Sequence, residues 1–485
     1  MDRAMDTGAE PRPPNFIVIF CDDLGYGDLG CYGSADHDTP RLDRMAAEGM
    51  RFTDAYVPSP VCTPSRAGLL TGCYPRRVGL EAGEGNLPVL FPGDAIGLSG
   101  DEVTIASLLR AQGYATGMVG KWHLGDQRAF LPPAHGFDDF LGLPYSNDMH
   151  CDLELPPEIG RMPPLMLLRQ DRVVEADPNQ VSLTDRYLVH ALRFIHDNRD
   201  RPFFLYFAHH YVHLPIHVPQ NYLRTSRNGP YSAAVAHVDF TVGAILDTLA
   251  DLGIDEHTLV IFTSDNGASV APASRERDRQ RRRTGGTGSN GPLRGGKGTT
   301  WEGGMREPFI AWRPGTVPAG AACRELCTTM DLLPTFARMA GTTEPTDRTI
   351  DGRDLTPLLT GRPGAGTPHE VFCYYSASTR CLDAVRRGRW KLHLGRHTGG
   401  LVPAALEASE LYDLEADVGE TTDLSGREPA VVRELLDLAD ACRDDLGDAR
   451  TGIAGADRRP VGRVDDPVTL LPRPEEHLWV RAYYD

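Results

Sequence analysis

The sequence predicts an α/β fold with a large mixed, mainly parallel sheet between helices, and a small C-terminal α+β region with a short antiparallel sheet. Four apolar runs have the length of buried central strands, at residues 16–20, 115–119, 203–207 and 258–263. Each run leads directly into a cluster of polar residues. Open α/β sheets bind ligands at the carboxyl ends of their strands, so we expect these four clusters to form one site.

Segments with helical spacing separate the predicted strands. Residues 39–49 begin near a proline and end at Gly49, and residues 108–112 are closed by Gly113. Residues 233–252 alternate apolar and polar positions at helical spacing and stop at Gly253, which predicts a packing helix. Its polar residues His237 and Asp239 are expected to have structural roles.

A glycine- and proline-rich stretch at residues 361–368 predicts a domain boundary. We assign residues 14–365 to a larger α/β domain that carries the candidate site, and residues 366–485 to a C-terminal α+β subdomain. Short strands are predicted at residues 371–375, 384–387 and 390–394, and a helix at residues 429–442. The last stretch of the chain carries no motif that indicates a function.

Composition excludes some classes of function. The formal charge of −17 over 485 residues argues against nucleic acid as the main partner, so an anionic ligand needs a local positive pocket. The ten cysteines include no C-x-x-C pair, which favours reduced thiols. The first fifteen residues have no apolar signal region, and no later apolar run approaches the length of a membrane span. The sequence as given predicts a cytoplasmic protein.

The most informative stretch is residues 61–72, V-C-T-P-S-R-A-G-L-L-T-G. Pro64 suits the first turn of a helix, and Gly72 suits its end. Cys62 then faces backbone N–H groups that have no partner within the helix, at the positive end of the helix dipole. Arg66, one turn on, can add a guanidinium there. The pattern predicts a site for an oxyanion.

Three further clusters follow predicted strands. Asp22 and Asp23 open the string D-D-L-G-Y-G-D-L-G, for which a solvated turn is the alternative to a metal site. Lys121 lies in G-K-W-H-L-G, together with a histidine two residues on. Asp265 and Asn266 lie in S-D-N-G and offer the oxygen ligands that calcium or magnesium prefers.

Together these strings resemble the signatures of the type I sulfatases. In that family the cysteine of C-x-P-S-R is oxidised after translation to formylglycine. The string G-K-G-T-T-W-E-G-G at residues 296–304 resembles another family segment. The resemblance covers about residues 14–445, is closest to the arylsulfatase A branch, and includes some likeness to the N-acetylgalactosamine-6-sulfatases. It implies an alkaline-phosphatase-like fold.

The resemblance implies a divalent metal, calcium first and magnesium as the alternative. Its implied ligands are Asp22, Asp23, Asp265, Asn266 and an oxygen of the modified residue Cys62.

The resemblance also implies a catalytic set. Position 62, as an aldehyde hydrate, is the implied nucleophile, His123 the base that releases sulfate, and His213 the group that protonates the leaving oxygen. Asp265 is placed to help deprotonate the attacking hydroxyl. The residues expected to contact the sulfate or its ester group are Arg66, Lys121, Lys297, His213 and, in P-Y-S, Ser146.

Two segments allow other interpretations. Four histidines within residues 209–217 also suit zinc, and the family pattern favours His213 alone, with His209 and His217 as rim residues. The basic insertion at residues 275–291 is interpreted as a solvated loop, with a lid over an anionic substrate as the alternative.

We therefore predict hydrolysis of an organic sulfate monoester, of arylsulfatase type first and sugar (hexosamine) sulfatase type second. The third candidate function is a phosphonate or phosphate ester hydrolase on the same scaffold. A non-catalytic sulfate-ester binder is the fourth, if Cys62 stays unmodified. The expected partners are a small-molecule or glycan sulfate ester and a formylglycine-generating enzyme. The sequence gives no oligomeric state.

Overall fold

The computed structural model describes residues 12–150, 162–269, 288–394 and 409–471. The predicted basic insertion lies outside these residues up to residue 287. The strands are β1 (Asn15–Cys21), β2 (Met50–Phe52), β3 (Ala55–Tyr56), β4 (Ile96–Gly97), β5 (Ala115–Lys121), β6 (Asp139–Leu143), β7 (Met166–Arg169), β8 (Arg172–Ala176), β9 (Phe203–Ala208), β10 (Thr258–Ser264), β11 (Phe309–Trp312), β12 (Ala321–Cys323), β13 (Cys327–Thr328), β14 (Phe372–Tyr375), β15 (Leu382–Arg387), β16 (Trp390–His393), β17 (Glu410–Asp413) and β18 (Gly462–Arg463).

Within the described residues, a ten-stranded mixed sheet has the order β12–β2–β11–β10–β1–β9–β5–β6–β7–β8. The four predicted central strands are β1, β5, β9 and β10, and they lie side by side in parallel. On the other side of β10, β11 pairs with it in the antiparallel direction. The predicted α/β class with a mainly parallel central sheet is confirmed, and the carboxyl ends of the central strands meet at one edge.

Helices cover both faces of this sheet. They are α1 (Pro40–Glu48), α2 (Cys62–Thr71), α3 (Ile105–Ala111), α4 (Leu183–Asp197), α5 (Gln220–Thr225), α6 (Gly229–Asp251), α7 (Glu302–Met305), α8 (Leu332–Met339), α9 (Thr356–Leu359) and α10 (Pro429–Leu446).

Alternation along β1 divides the core into two layers. Phe16, Val18 and Phe20 belong to the layer that includes residues of α2, α3 and α8. Ile17 and Ile19 belong to the opposite layer, which includes residues of α1, α4 and α6. Successive side chains of a strand point to opposite faces, so one continuous apolar run supplies both layers.

The long helix α6 is a packing helix, as predicted. Asp239 accepts hydrogen bonds from the backbone N–H groups of Arg41 and Leu42 at the start of α1, at 2.9 and 2.8 Å. His237 pairs with Asp185 of α4 at 2.8 Å. By length and composition alone, α6 could cross a membrane, contrary to the expectation from the sequence. However, 67% of its apolar 18-residue stretch is buried inside the protein. That burial is typical of a core helix.

The C-terminal region contains the four-stranded antiparallel sheet β14–β15–β16–β17 with α10, so the predicted α+β unit is confirmed. Its apolar residues form one cluster with Tyr56, Tyr74 and Met305 of the α/β part. The chain then returns to the α/β part, where β18 pairs with β4. The boundary at residue 365 stays a prediction.

One core residue predicts a pH dependence of stability. His135 is buried and stacks on Trp122 with ring centroids 5.7 Å apart. Its two ring nitrogens have no hydrogen-bond partner among the described residues, and burial lowers its pKa to about 4. The unfolded chain therefore binds a proton more readily than the folded chain as the pH falls from 6.5 to about 4, and stability is lost over that range.

His135→Phe should remove this loss. We expect the free energy of unfolding of the variant, relative to wild type, to rise by up to about 3 kcal/mol between pH 6.5 and 4. Urea titrations over this range measure it. His196→Phe on exposed α4 surface is the control. Equal pH slopes for His135→Phe and wild type would contradict the assignment.

Candidate active site

The predicted site residues meet at the carboxyl edge of the central strands. Asp22 and Asp23 follow β1, Lys121 ends β5, and Asp265 and Asn266 follow β10. Hydrogen bonds, ion pairs and close contacts of 3.8 Å or less join most of the predicted site residues into one network. His123 joins it through its backbone carbonyl, which accepts a hydrogen bond from Thr63.

The two neighbouring aspartates point to different partners. Asp23 has φ 61°, a left-handed conformation that turns the chain directly after β1. Asp22 pairs with Lys121 at 2.7 Å, and Asp23 pairs with Lys297 at 2.7 Å. Burial raises the pKa of Asp22, but Lys121 and the other nearby cations outweigh burial and hold it well below its ordinary range. The pKa of Asp23 is lowered in the same way, mainly by Lys297.

Cys62 is the first residue of α2, as predicted. Val61 precedes it in an extended conformation without a side-chain cap, and Gly72 ends the helix at φ 68°. The sulfur lies 3.5 Å from an Asp22 oxygen and 3.6 Å from the Lys297 nitrogen. Burial raises the pKa of the thiol, and Lys121 and Lys297 only partly offset this effect. An unmodified Cys62 would therefore be a neutral thiol rather than a thiolate nucleophile.

Arg66 is fully buried and turned toward Asp265. Its Nε and Nη2 donate to one Asp265 oxygen at 3.0 and 2.8 Å, and its Nη1 donates to the Lys121 carbonyl at 2.8 Å. Burial and the Asp22 charge raise the pKa of Asp265 to about 6 against the effect of Arg66. Arg66 therefore supports the carboxylates and the end of β5, in addition to lying near the oxyanion position that the sequence predicted.

The site opens on the side of Lys297 and His213. The side chain of Lys297 is 21% exposed and that of His213 is 12% exposed, whereas Asp22, Lys121 and Arg66 have no exposed side-chain surface. His213 Nε2 lies 3.7 Å from Asp23. A substrate that enters from this side meets Lys297 and His213 first, and the role of His213 at the leaving group stays a prediction.

The donor set fits a metal ion. Among the described residues, Asp22, Asp23, Cys62 and His213 form a group whose ligand atoms all lie within 4.8 Å of one another. The Asn266 amide donates to Asp23 at 2.7 Å, and its oxygen is buried without a hydrogen-bond partner in the described part of the chain. An unpaired buried oxygen beside two carboxylates suits a hard cation. Asp265, a predicted ligand, is not in the group, and its ligand role stays a prediction.

His123 is held by a triangle of contacts that the sequence did not reveal. Its Nε2 lies 3.0 Å from the Leu90 carbonyl, and Leu90 donates its N–H to the Thr63 hydroxyl at 3.2 Å. Thr63 in turn donates to the His123 carbonyl at 3.0 Å. The Nδ1 of His123 has no hydrogen-bond partner among the described residues, and burial lowers the pKa of the ring. This ring is neutral and presents Nδ1 as an acceptor when Nε2 carries the proton.

The remaining histidines do not form a zinc site in the described structure. Of the four histidines at residues 209–217, only His213 joins the metal-binding group. His209 is fully buried and bonds Thr241 of α6 at 3.0 Å, so its predicted place at the rim is wrong. His217, the other predicted rim residue, is partly exposed. Ser146, a predicted substrate contact, accepts a 3.3 Å hydrogen bond from Lys121.

Sequence reasoning missed several buried residues near the site. Thr63 occupies the variable position of the C-x-P-S-R string, and Leu90 lies in a segment without a motif. Glu307 is fully buried, and burial together with Asp265 and Asp23 raises its pKa well above the ordinary value. Glu307 lies three residues after the string G-K-G-T-T-W-E-G-G, which is the nearest sequence signal for it.

Comparisons with known proteins agree with this site. The profile of the Sulfatase family matches residues 14–342. Human arylsulfatase A is 42% identical over 457 residues, covering 88% of this chain and 86% of that protein. N-acetylgalactosamine-6-sulfatase of Canis lupus familiaris is 41% identical over 390 residues, covering 79% and 72%. The solved PsFucS1 sulfatase from Pseudoalteromonas sp. has a TM-score of 0.77 and 28% identity, covering 93% and 92%.

The fold and the site define an alkaline-phosphatase-like hydrolase. The chain belongs to the sulfatase family, and it is a sulfuric ester hydrolase. The family resemblance drawn from the sequence motifs is therefore confirmed.

The donor set predicts stabilisation by a divalent cation. We expect Ca²⁺ to raise the Tm of EDTA-treated protein by a few degrees, since a ligand at 100 times its Kd contributes about 2.7 kcal/mol. Asn266→Ala should weaken this shift, and exposed Asn221→Ala should not. Differential scanning calorimetry with Ca²⁺, Mg²⁺ and Zn²⁺ measures the effect. A Tm insensitive to Ca²⁺ and Mg²⁺, or stoichiometric zinc bound through His209 and His213, would exclude this site.

Proposed function

We propose that the protein hydrolyses organic sulfate monoesters of the arylsulfatase type, with formylglycine at position 62 and a calcium ion beside it. The observation that carries the proposal is the position of Cys62. It lies at the N-terminus of α2, within 3.6 Å of both Asp22 and Lys297, in a setting that keeps a thiol neutral. An unmodified cysteine is therefore poorly suited to act as the nucleophile.

A modification of Cys62 and a bound cation would complete the site. A hydrated formylglycine offers two hydroxyls on one carbon, one to attack sulfur and one whose deprotonation releases sulfate. A cation bound by Asp22, Asp23 and Asn266 would polarise oxygens and orient the ester.

The side chains of the protein then have distinct tasks. Lys121 and Lys297 place permanent positive charge near position 62, where the transferred sulfuryl group carries negative charge. Asp265 takes the proton of the attacking hydroxyl, and His213, at the open side, protonates the leaving oxygen as the sulfur–oxygen bond breaks. His123 accepts the proton of the remaining hydroxyl at Nδ1 while Leu90 holds Nε2.

The alcohol part of the ester is inferred from the names of similar proteins, which is less direct support. A relative named arylsulfatase A has the higher identity and coverage, which favours an aryl sulfate. A relative named N-acetylgalactosamine-6-sulfatase is nearly as similar, so a 6-sulfated hexosamine is the second candidate. Ser146 and the neighbouring Tyr145 are the residues we expect to contact the group beyond the bridging oxygen.

The first test is the chemical state of position 62. In protein co-expressed with a formylglycine-generating enzyme, mass spectrometry of the peptide that contains Cys62 should show replacement of sulfur by oxygen and loss of two hydrogens. Cys62→Ser should keep the Tm and lower kcat by more than about 1,000-fold. Active protein that contains only unmodified cysteine would refute the mechanism.

The second test is a comparison of kcat/KM for four substrates, with protein of measured formylglycine content. The kcat/KM for nitrophenyl sulfate should exceed the values for nitrophenyl phosphate and for a phenyl phosphonate ester, because the proposed substrate is a sulfate monoester. A strong preference for 6-sulfated hexosamine over nitrophenyl sulfate would replace arylsulfatase by sugar sulfatase. A preference for either phosphorus ester would refute the proposed reaction.

A further inference from the structure

A buried lysine of the C-terminal sheet holds the segment that carries Lys297. Lys391 of β16 has no exposed side-chain surface. Its ammonium group lies 2.9 Å from the Thr300 carbonyl, from Glu302 and from Glu420. Glu420 also accepts the backbone N–H of Glu302 at 2.8 Å. Lys391 therefore binds the backbone and the side chain of the same short segment.

The surrounding charges form a balanced buried set. Within the described residues, three cations face three carboxylates, and Tyr56 and Tyr374 donate to Glu302. Burial raises the pKa of Glu302, but Lys391 and the two nearby arginines outweigh burial and hold it well below its ordinary range. The charged members are Lys391, Arg306, Arg386, Glu302, Glu420 and Asp54.

The segment held by Lys391 contacts three parts of the active site. Lys297 at its start pairs with Asp23. Gly298 donates its N–H to the Pro60 carbonyl at 2.9 Å, two residues before Cys62, and Gly304 accepts from the N–H of Gly267, next to Asn266, at 3.3 Å. A shift of residues 296–304 would therefore move Lys297 and disturb the neighbours of the nucleophile and of a metal-ligand candidate.

We propose that Lys391 is a positioning residue for sulfate ester hydrolysis, and that through Thr300 and Glu302 it makes turnover depend on the C-terminal sheet. This inference deepens the proposed function and rests on it. A buried ion cluster adds little net stability compared with apolar packing, because removing charges from water has a large free-energy cost. The directional contacts of Lys391 fix the register of a glycine-rich segment that packing alone would hold loosely. A misplacement of about 1 Å near the chemistry can lower a rate by about 100-fold.

The test uses two charge-neutral double variants. Lys391→Met with Glu420→Gln removes the lysine and one carboxylate, so no unpaired buried charge is left by the pair. Arg389→Met with Asp413→Asn is the matched control, because it removes an ion pair beside the same strand whose arginine is 42% exposed. Both proteins are prepared with measured formylglycine content and saturating Ca²⁺.

We expect the Lys391 double variant to fold, with kcat lowered by about 10- to 100-fold and KM changed by less than kcat. Hydrogen exchange of the amides at residues 296–304 should be faster than in wild type. The control should match wild type in kcat and in exchange of that segment. Unchanged kcat and unchanged exchange in the folded Lys391 double variant would overturn the proposal.

Glu420→Gln alone, which leaves Lys391 paired with Glu302, is the second variant if the double variant does not fold. It loosens the hold on Lys391 without removing it, and we expect an intermediate loss of kcat with faster exchange at residues 296–304. Wild-type levels of both would overturn the proposal. The exchange measurement does not need turnover. Wild-type protein without sulfatase activity would refute the proposed function, while exchange would still test whether Lys391 holds the segment.

Discussion

Three carboxylates brought together in the interior are the constraint on which this active site depends. Parallel pairing of β10 with β1 places Asp265 beside Asp22 and Asp23, and the fold shields all three from water. Like charges in such a place repel unless cations compensate for them. Arg66, Lys121 and Lys297 supply that compensation from three separate elements. The motifs recognised in the sequence are thus parts of one electrostatic arrangement rather than independent signatures.

Much of this arrangement could be predicted because the family motifs are local in sequence. The apolar runs identified β1, β5, β9 and β10, and the strings after them named the residues at their carboxyl ends. Resemblance supplied the roles, and the geometry brings those residues into contact. Asp22 and Lys121 lie in one network because β1 and β5 both run parallel to β9, and a sequence indicates such strand order only through patterns of this kind.

The parts that could not be predicted depend on contacts between distant segments. Nothing in the sequence near Leu90 indicates that its carbonyl holds His123, because that contact needs the path of a loop. The partners of Lys391 come from residues 300, 302 and 420, and no periodicity joins them. His209 was misplaced for a related reason, since only the packing of α6 shows that its ring bonds Thr241. The composition of α6 likewise does not show that its apolar residues pack in the same core layer as the sheet.

The charge count at the site explains how a chain with a formal charge of −17 can bind an anion. Arg66, Lys121 and Lys297 equal the three aspartates in number, so these side chains alone give a site near neutrality. A divalent cation bound at the carboxylates would leave the site two charges positive, against the sign of the rest of the protein. In a buried site with its open side at Lys297 and His213, that local charge attracts an anionic ester more strongly than the same charge would in water. Removal of the cation should therefore weaken substrate binding as well as the chemical step.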